Sequence, residues 1–245
     1  MSFTGIYRIG DKVIEITSLY MDVHEYCRDY KSDGKADICV KISESDIEHE
    51  RERSEGADIA QGKGVMQWKD GYLEELAVYR KIAEKMPEYD TFLMHGSVVA
   101  VDGQGYMFTA KSGTGKSTHT RLWKELLGDR AVMVNDDKPL IKVSDSGVTV
   151  YGTPYNGKHH LGNNIVVPLK CICILERAKE NHIRQIDRSQ AYHILLQQSY
   201  RPSDIAMLAK TLSLIDEMSD KVKFYRLGCN MDISAAQLAF RVMNN

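Results

Sequence analysis

The 245-residue sequence lacks any apolar run approaching the roughly 20 residues that a membrane-spanning helix needs. Its first residues, MSFTGIYRIGDKVIEI, have neither a basic stretch nor a continuous apolar core, so no secretory leader is expected. Nor is one sign of charge in excess: 32 Lys and Arg face 34 Asp and Glu. Nucleic-acid binding relies on clustered basic residues against phosphates, so it is not expected either. Cysteine is sparse and odd in number: Cys27, Cys39, Cys171, Cys173 and Cys229 lie scattered along a chain too long to need a disulfide framework. Cys171 and Cys173 have the spacing of a metal or redox pair. They lie in KCICIL, however, an apolar strand-like run, and read as two small buried thiols. Internal repeats and low-complexity linkers are missing too. These absences leave a soluble cytoplasmic chain of one large domain with small attachments.

What is present divides near residue 90. Residues 1–90 read as an α+β extension packed on a core at 91–245. Tyr7 to Ile16 alternates as a hairpin around Gly10-Asp11, and Asp37 to Ile42 offers a short strand. Glu44 to Gly64, rich in charge and poor in apolar residues, reads as an exposed excursion whose ERER run is a solvated helix face. Leu73 to Met86 carries apolar residues at helical intervals, with Pro87 as a stop. Beyond Thr91, strands are expected at Leu93–Val101, Tyr106–Ala110, Ala131–Val134, Leu140–Val143 and Val148–Tyr151, with a turn at Asp102-Gly103. A helix is expected over Lys116–Leu127, ended by Gly128. Pro168 predicts that the next strand starts near Lys170. Helices at Ser189–Ser199, Ser203–Ser219 and Asp232–Met243, with a strand at Lys221–Leu227, complete an α/β protein with a mixed sheet.

The strongest chemical signal is Ala110-Lys-Ser-Gly-Thr-Gly-Lys116-Ser117-Thr118. It matches the phosphate-binding pattern G-x-x-x-x-G-K-[ST] except that Ala110 replaces the first glycine. Ser112, Gly113, Thr114, Gly115, Lys116, Ser117 and Thr118 are the nucleotide-binding candidates. The glycines let successive N–H groups turn inward as an anion nest, and the following helix aims its positive end there. Lys116 can reach the β- and γ-phosphates and Ser117 a Mg²⁺ ion. Twenty residues after Lys116, the apolar run Val132–Val134 ends in Asn135-Asp136-Asp137. Adjacent carboxylates are often just a turn. Behind a phosphate loop, one suits the metal and the other the proton of an attacking hydroxyl. His95 stands ahead of the strands that feed the loop, and nothing local marks it as functional.

Together MHGSVVAVDGQGYMFTAKSGTGKSTHTRLW and VNDDKPLI resemble the P-loop superfamily of HPr kinase/phosphorylase and phosphoenolpyruvate carboxykinase. These proteins share a His before a hairpin, then the loop, then Asp-Asp. The resemblance implies a mixed central sheet with a P-loop, built like that catalytic core, and a helical C-terminal part. It implies Lys116 on the phosphates, Ser117 and Asp137 on the metal, and Asp136 as general base, the two carboxylates being exchangeable. His95 would sit near the metal or the transferred phosphoryl group, as a third metal or catalytic residue. The cofactors implied are ATP, or GTP or ADP in its place, with Mg²⁺ or Mn²⁺; self-association occurs in the HPr kinases.

The expected function is phosphoryl transfer from ATP to a hydroxyl of a peptide or protein serine or of a small metabolite. The alternatives are carboxykinase-like transfer to a keto-acid enolate and a regulator that binds ATP without turnover. The chain is shorter than carboxykinases and shows no oxaloacetate-binding arginines, and it carries no glycine signature of HPr kinases. Decarboxylation and phosphorylation of HPr itself are therefore not expected. Lys158, His159 and His160, in the loop Gly157–Gly162, are candidates for docking an acceptor anion, and Arg121, Arg177 and Arg201 for reaching nucleotide or acceptor. His119 is expected to face solvent or the sheet.

Overall fold

The computed structural model describes residues 2–60, 62, 64, 66–157 and 159–244. They form two compact units, Met1–Lys85 and Met86–Asn245. No helix among the described residues is long and apolar enough to cross a membrane.

In the first unit, β1 (Phe3–Ile9) and β2 (Lys12–Ser18) form an antiparallel hairpin. After α1 (Asp22–Tyr26), β3 (Ile38–Lys41) adds to β2 in parallel. The charge-rich segment read as an exposed excursion forms a 17-residue helix, α2 (Glu44–Ala60), most of whose side chains are exposed. Ile47 is its one buried apolar side chain, so an apolar stripe does not hold it. Ion pairs to α3 (Asp70–Lys85) do: Arg80 Nε lies 2.5 Å from the buried Glu50 carboxylate, Lys81 Nζ lies 2.7 Å from Asp46, and Arg51 pairs with Asp70. Charge density in that segment therefore signals pairing as well as solvation. The helix α3 buries Leu73, Ala77, Val78 and Ile82. Its Glu74 carboxylate, fully buried, accepts the backbone N–H groups of Leu19 and Tyr20.

The same unit holds a closed network around His24. Ser18 Oγ lies 2.7 Å from the Tyr20 carbonyl and 2.8 Å from His24 Nε2, and Tyr7 OH lies 2.7 Å from His24 Nδ1.

The second unit is an α/β domain with a curled mixed sheet. Its elements run β4 (Thr91–Leu93), β5 (Ser97–Val101), β6 (Gln104–Thr109), α4 (Lys116–Leu127), β7 (Ala131–Asn135), β8 (Leu140–Ser144) and β9 (Gly147–Tyr151). There follow β10 (Val166–Arg177), β11 (His182–Ile186), α5 (Arg188–Gln198), α6 (Ile205–Lys221), β12 (Lys223–Cys229) and α7 (Ile233–Met243). Along the sheet the order is β4-β8-β9-β10-β6-β5-β7, with β12 on β10 and β11 on β12. The sheet is covered on both faces. Tyr106, Phe108, Cys171 and Cys173 point to a core with Trp123 of α4 and Ala236, Ala239 and Met243 of α7. Met107, Ile172 and Ile174 point the other way, to Leu195 of α5 and Leu214, Ile215 and Met218 of α6. The two thiols are thus packing groups, as their alternation with isoleucine implied; burial pushes Cys171 up to about 12.

Two sequence expectations fail here for topological reasons. The single strand expected over Leu93–Val101 is broken at Met94-His95-Gly96, because β4 pairs with β8 whereas β5 lies between β6 and β7. The strand expected to begin after Pro168 runs straight through it. Residues Val166–Pro168 pair with β9, and from Leu169 the strand pairs with β6 across a register shift. Proline, which lacks an N–H, falls at the change of partner, where a ladder bond is dispensable.

Candidate functional site

The strand β7 is parallel to β6, since both run antiparallel to β5. The C-terminal ends of β6 and β7 and the N-terminal end of β5 therefore share one edge of the sheet. That edge carries the glycine loop, Asp136-Asp137 and His95 respectively. Three segments separate in sequence become one site by this arrangement alone.

The loop runs from Ala110 to Gly115, and α4 begins at Lys116. Gly113 and Gly115 take φ of 75° and 122°, which L side chains rarely adopt, and a Cβ on either would meet nothing within 4 Å. The space over the loop is open. Ala110, the departure from the glycine pattern, has no positive φ, so its methyl group costs nothing. The first turn of α4 leaves its N–H groups without intrahelical acceptors, directed at the loop. Lys116 is buried, and its Nζ donates to the Ala110 carbonyl at 3.2 Å. Burial lowers its pKa, opposed by the nearby charges of Asp137 and Asp136. Ser112 and Ser117 are exposed, and Thr114 and Thr118 half-buried.

The carboxylates occupy different environments. Asp136 is buried; burial raises its pKa, while hydrogen bonds from Ser97 and Ser117 work against the rise and the charge of Asp137 adds to it. Ser97 Oγ donates to Asp136 Oδ1 at 2.6 Å, and the Thr120 hydroxyl lies 3.0 Å from Ser97 Oγ. Burial also acts to raise Asp137, but the hydrogen bond from His95 and the charges of Lys138, His95 and Lys116 outweigh it and hold the group below its ordinary value. Neighbouring acids pushed in opposite directions can divide base and charge-holding roles.

His95 Nε2 lies 3.2 Å from Asp137 Oδ1, and Nδ1 lies 2.8 Å from Gln198 Oε1 at the end of α5. An imidazolium satisfies both partners; a neutral ring does so once the amide turns to donate. In either state Nε2–H points at Asp137. The backbone fixes the same pair, His95 N donating to the Gln198 carbonyl and Gly96 N to the Asp137 carbonyl.

Three residues of this site were not among the sequence candidates: Ser97, Gln198 and Asn135. Asn135, fully buried, accepts from the N–H groups of Asp137 and Lys138 and donates to Thr153, so its amide shapes the turn that presents both carboxylates. Ser97 and Asn135 lie within the His-Gly and Asp-Asp motifs themselves, but Gln198 lies 103 residues from its partner. Of the remaining candidates, Arg177 bonds to the carbonyls of Gly113 and Thr114 in the loop. His159 is close enough for its charge to act on Asp136, whereas Arg121 and Arg201 are simply exposed. His160 adopts a left-handed φ of 49°, and Lys158 lies outside the described residues. His119 faces the sheet: it packs edge-on to Phe108 and accepts from Trp123 Nε1 at 3.1 Å. No group of three His, Cys, Asp or Glu side chains placed to hold a metal occurs among the described residues.

The fold and site are those of an α/β protein with a glycine loop facing two carboxylates. The family described as SynChlorMet cassette protein ScmC matches residues 63–232, most of the chain, and the chain belongs to it. Among solved structures, the HPr(Ser) kinase/phosphatase from Coxiella burnetii is similar over 51% of this chain and 93% of its own, with 12% identity and a TM-score of 0.28. At that level the likeness says nothing about activity. No curated protein matches the chain.

Proposed function

We propose that the chain is a nucleotide-dependent phosphotransferase that moves the terminal phosphoryl group of ATP to a hydroxyl. One observation carries this reading: the glycine loop with Lys116 and the Asp136-Asp137 pair follow the same ends of the parallel strands β6 and β7, on one edge of the sheet. A loop for phosphates and a pair of carboxylates is the minimum such a site requires. The residues fit a nucleotide, because the loop is open above Gly113 and Gly115 and the ammonium group of Lys116 donates to a loop carbonyl. They fit Mg²⁺ as well. That ion takes few protein ligands beside phosphates and water, so one ionised carboxylate and a hydroxyl suffice without a three-residue cage.

Asp137 and Ser117 would hold the ion, which when bound supplies positive charge against the phosphate oxygens. Lys116 and the loop amides bind and neutralise the transferring group. Asp136, made more basic by burial, accepts the proton of the attacking hydroxyl. His95 keeps Asp137 oriented and ionised. A core resembling the HPr kinase and carboxykinase superfamily is part of this proposal, supported by the order of His95, loop and Asp136-Asp137.

The test is a calorimetric titration with MgATP, followed by transfer from γ-labelled ATP to serine peptides, sugars and hydroxy acids. Lys116→Ala should abolish measurable nucleotide binding, and equal binding by wild type and variant overturns the reading. Asp136→Asn should bind nucleotide normally and lose transfer by about 10²-fold or more. The wild-type rate should decline on acidification only as Asp136 takes up a proton, above the usual carboxylate range.

A further inference from the structure

A cavity of about 410 Å³ adjoins the loop on the far side of β6 from β7, at the C-terminal ends of the parallel strands β6, β10 and β12. Its size suits a small molecule, and crevices at such strand ends are where α/β sheets bind ligands. Lys111 of the loop, Arg177 of β10 and Arg226 of β12 line it, against the single carboxylate of Glu176. Glu176 is already paired with Arg226, so the positive charge exceeds the negative. Arg226 also donates to the Gln190 carbonyl, while its buried Nε–H has no acceptor among the described residues. Among the described residues, no Phe, Tyr or Trp lines the cavity to stack on a base.

Two connections tie the cavity to the carboxylate side. Ala110 forms part of its wall and gives its carbonyl to Lys116. The helix α5 presents Gln197 to the cavity and the next residue, Gln198, to His95. We propose that this cavity is the acceptor site, and that the acceptor is a small hydroxyl compound bearing a carboxylate or phosphate; this rests on the phosphotransfer reading above. Lys111 and Arg226 hold the anionic group. The acceptor oxygen attacks the terminal phosphorus of ATP and its proton passes to Asp136. The bond from that phosphorus to the bridging oxygen breaks, its electron pair leaving with ADP. Arg177, bonded to two loop carbonyls, lets an occupant of the cavity be felt by the loop.

The experiment titrates the whole chain, with and without MgADP, with glycerol 3-phosphate, D-glycerate and uncharged glycerol, and measures MgADP affinity separately. The proposal expects saturable binding of at least one anion and none of glycerol. Arg226→Gln and Gln197→Glu should each weaken that binding by about tenfold, with MgADP affinity and melting curves unchanged. If Arg226→Gln fails to fold, Gln197→Glu, which puts a carboxylate into the cavity, carries the test. If both variants instead weaken MgADP and no anion binds, the cavity belongs to the nucleoside and the proposal falls. Anion binding insensitive to both variants, or labelling of a serine peptide in preference to every anionic probe, overturns it too. Anion binding in the cavity with no MgADP binding supports the anion site and overturns the phosphotransfer reading instead.

Discussion

His24 and His95 each have both ring nitrogens hydrogen-bonded, but one network is closed and the other is open. Ser18 spends its only proton on the Tyr20 carbonyl, so its oxygen accepts from His24 Nε2–H. Nδ1 is then the acceptor for the Tyr7 hydroxyl. These three contacts are satisfied by a neutral ring. Burial lowers the pKa of His24 with Lys31 adding to it, against a backbone bond to Phe3, and burial lifts Tyr7 to about 12. The grouping of Ser, His and Tyr looks catalytic on paper, yet its serine faces a histidine that donates rather than accepts. His95 instead bridges a carboxylate and an amide and is partly exposed. Partners that can change charge or turn, together with solvent access, separate a site that can do work from one that holds strands together.

Substitution can break this contrast. The largest effect is expected at Asp137: Asp137→Asn should lower the transfer rate by about 10²–10³-fold, the loss typical when a group stabilising transition-state charge is removed. His95→Ala should follow it in direction, and a wild-type rate in either variant would reduce the open network to packing. Next comes His24→Ala, expected to cost about 2–4 kcal/mol through two lost buried hydrogen bonds and a cavity, read from urea unfolding. MgATP affinity should not move; if it does, the closed network is functional after all.

A third histidine sharpens the comparison by pH. Burial lowers His119 to about 4, below its unfolded value near 6.5, so the folded state resists the proton that the unfolded chain accepts. Stability is complete above pH 6.5 and declines as the pH falls towards 4. Between pH 7.5 and 5 the loss from His119 should be about 2 kcal/mol, and His119→Leu should flatten that part of the profile. His24, shifted in the same direction, should leave a residual slope. A pH-independent difference between variant and wild type would show that His119 matters only as volume.

The parts legible in the sequence are those whose determinants are contiguous. The glycine loop, α4 from Lys116 to Leu127, and the Asp102-Gly103 turn, with φ of 51° and 78°, each follow from neighbours along the chain. Asp136-Asp137 is similar, although the amide of Asn135 that sets its turn is visible only in three dimensions. Long-range pairing hid the rest. Pro168 reads as a strand start until β9 is seen on one side of it and β6 on the other. The helix α2 shows no apolar period, because its partners are Arg80, Lys81 and Asp70 on another helix. Gln198 carries no local signal, since its importance lies in a ring placed by a different strand.

The strand β10 has a consequence for the order in which the molecule is made. It pairs with β9, β6 and β12, and β6 lies between β5 and β10. A chain emerging from the ribosome displays the glycine loop, Lys116 and both carboxylates before Val166 is available to cover the outer edge of β6. Until then that edge is an open template for another strand. It closes when β10 arrives, and the last partner of β10, at Lys223–Cys229, comes only after α5 and α6 have been made. The elements of the site are thus made first, but the scaffold that holds them is completed only when β12 follows.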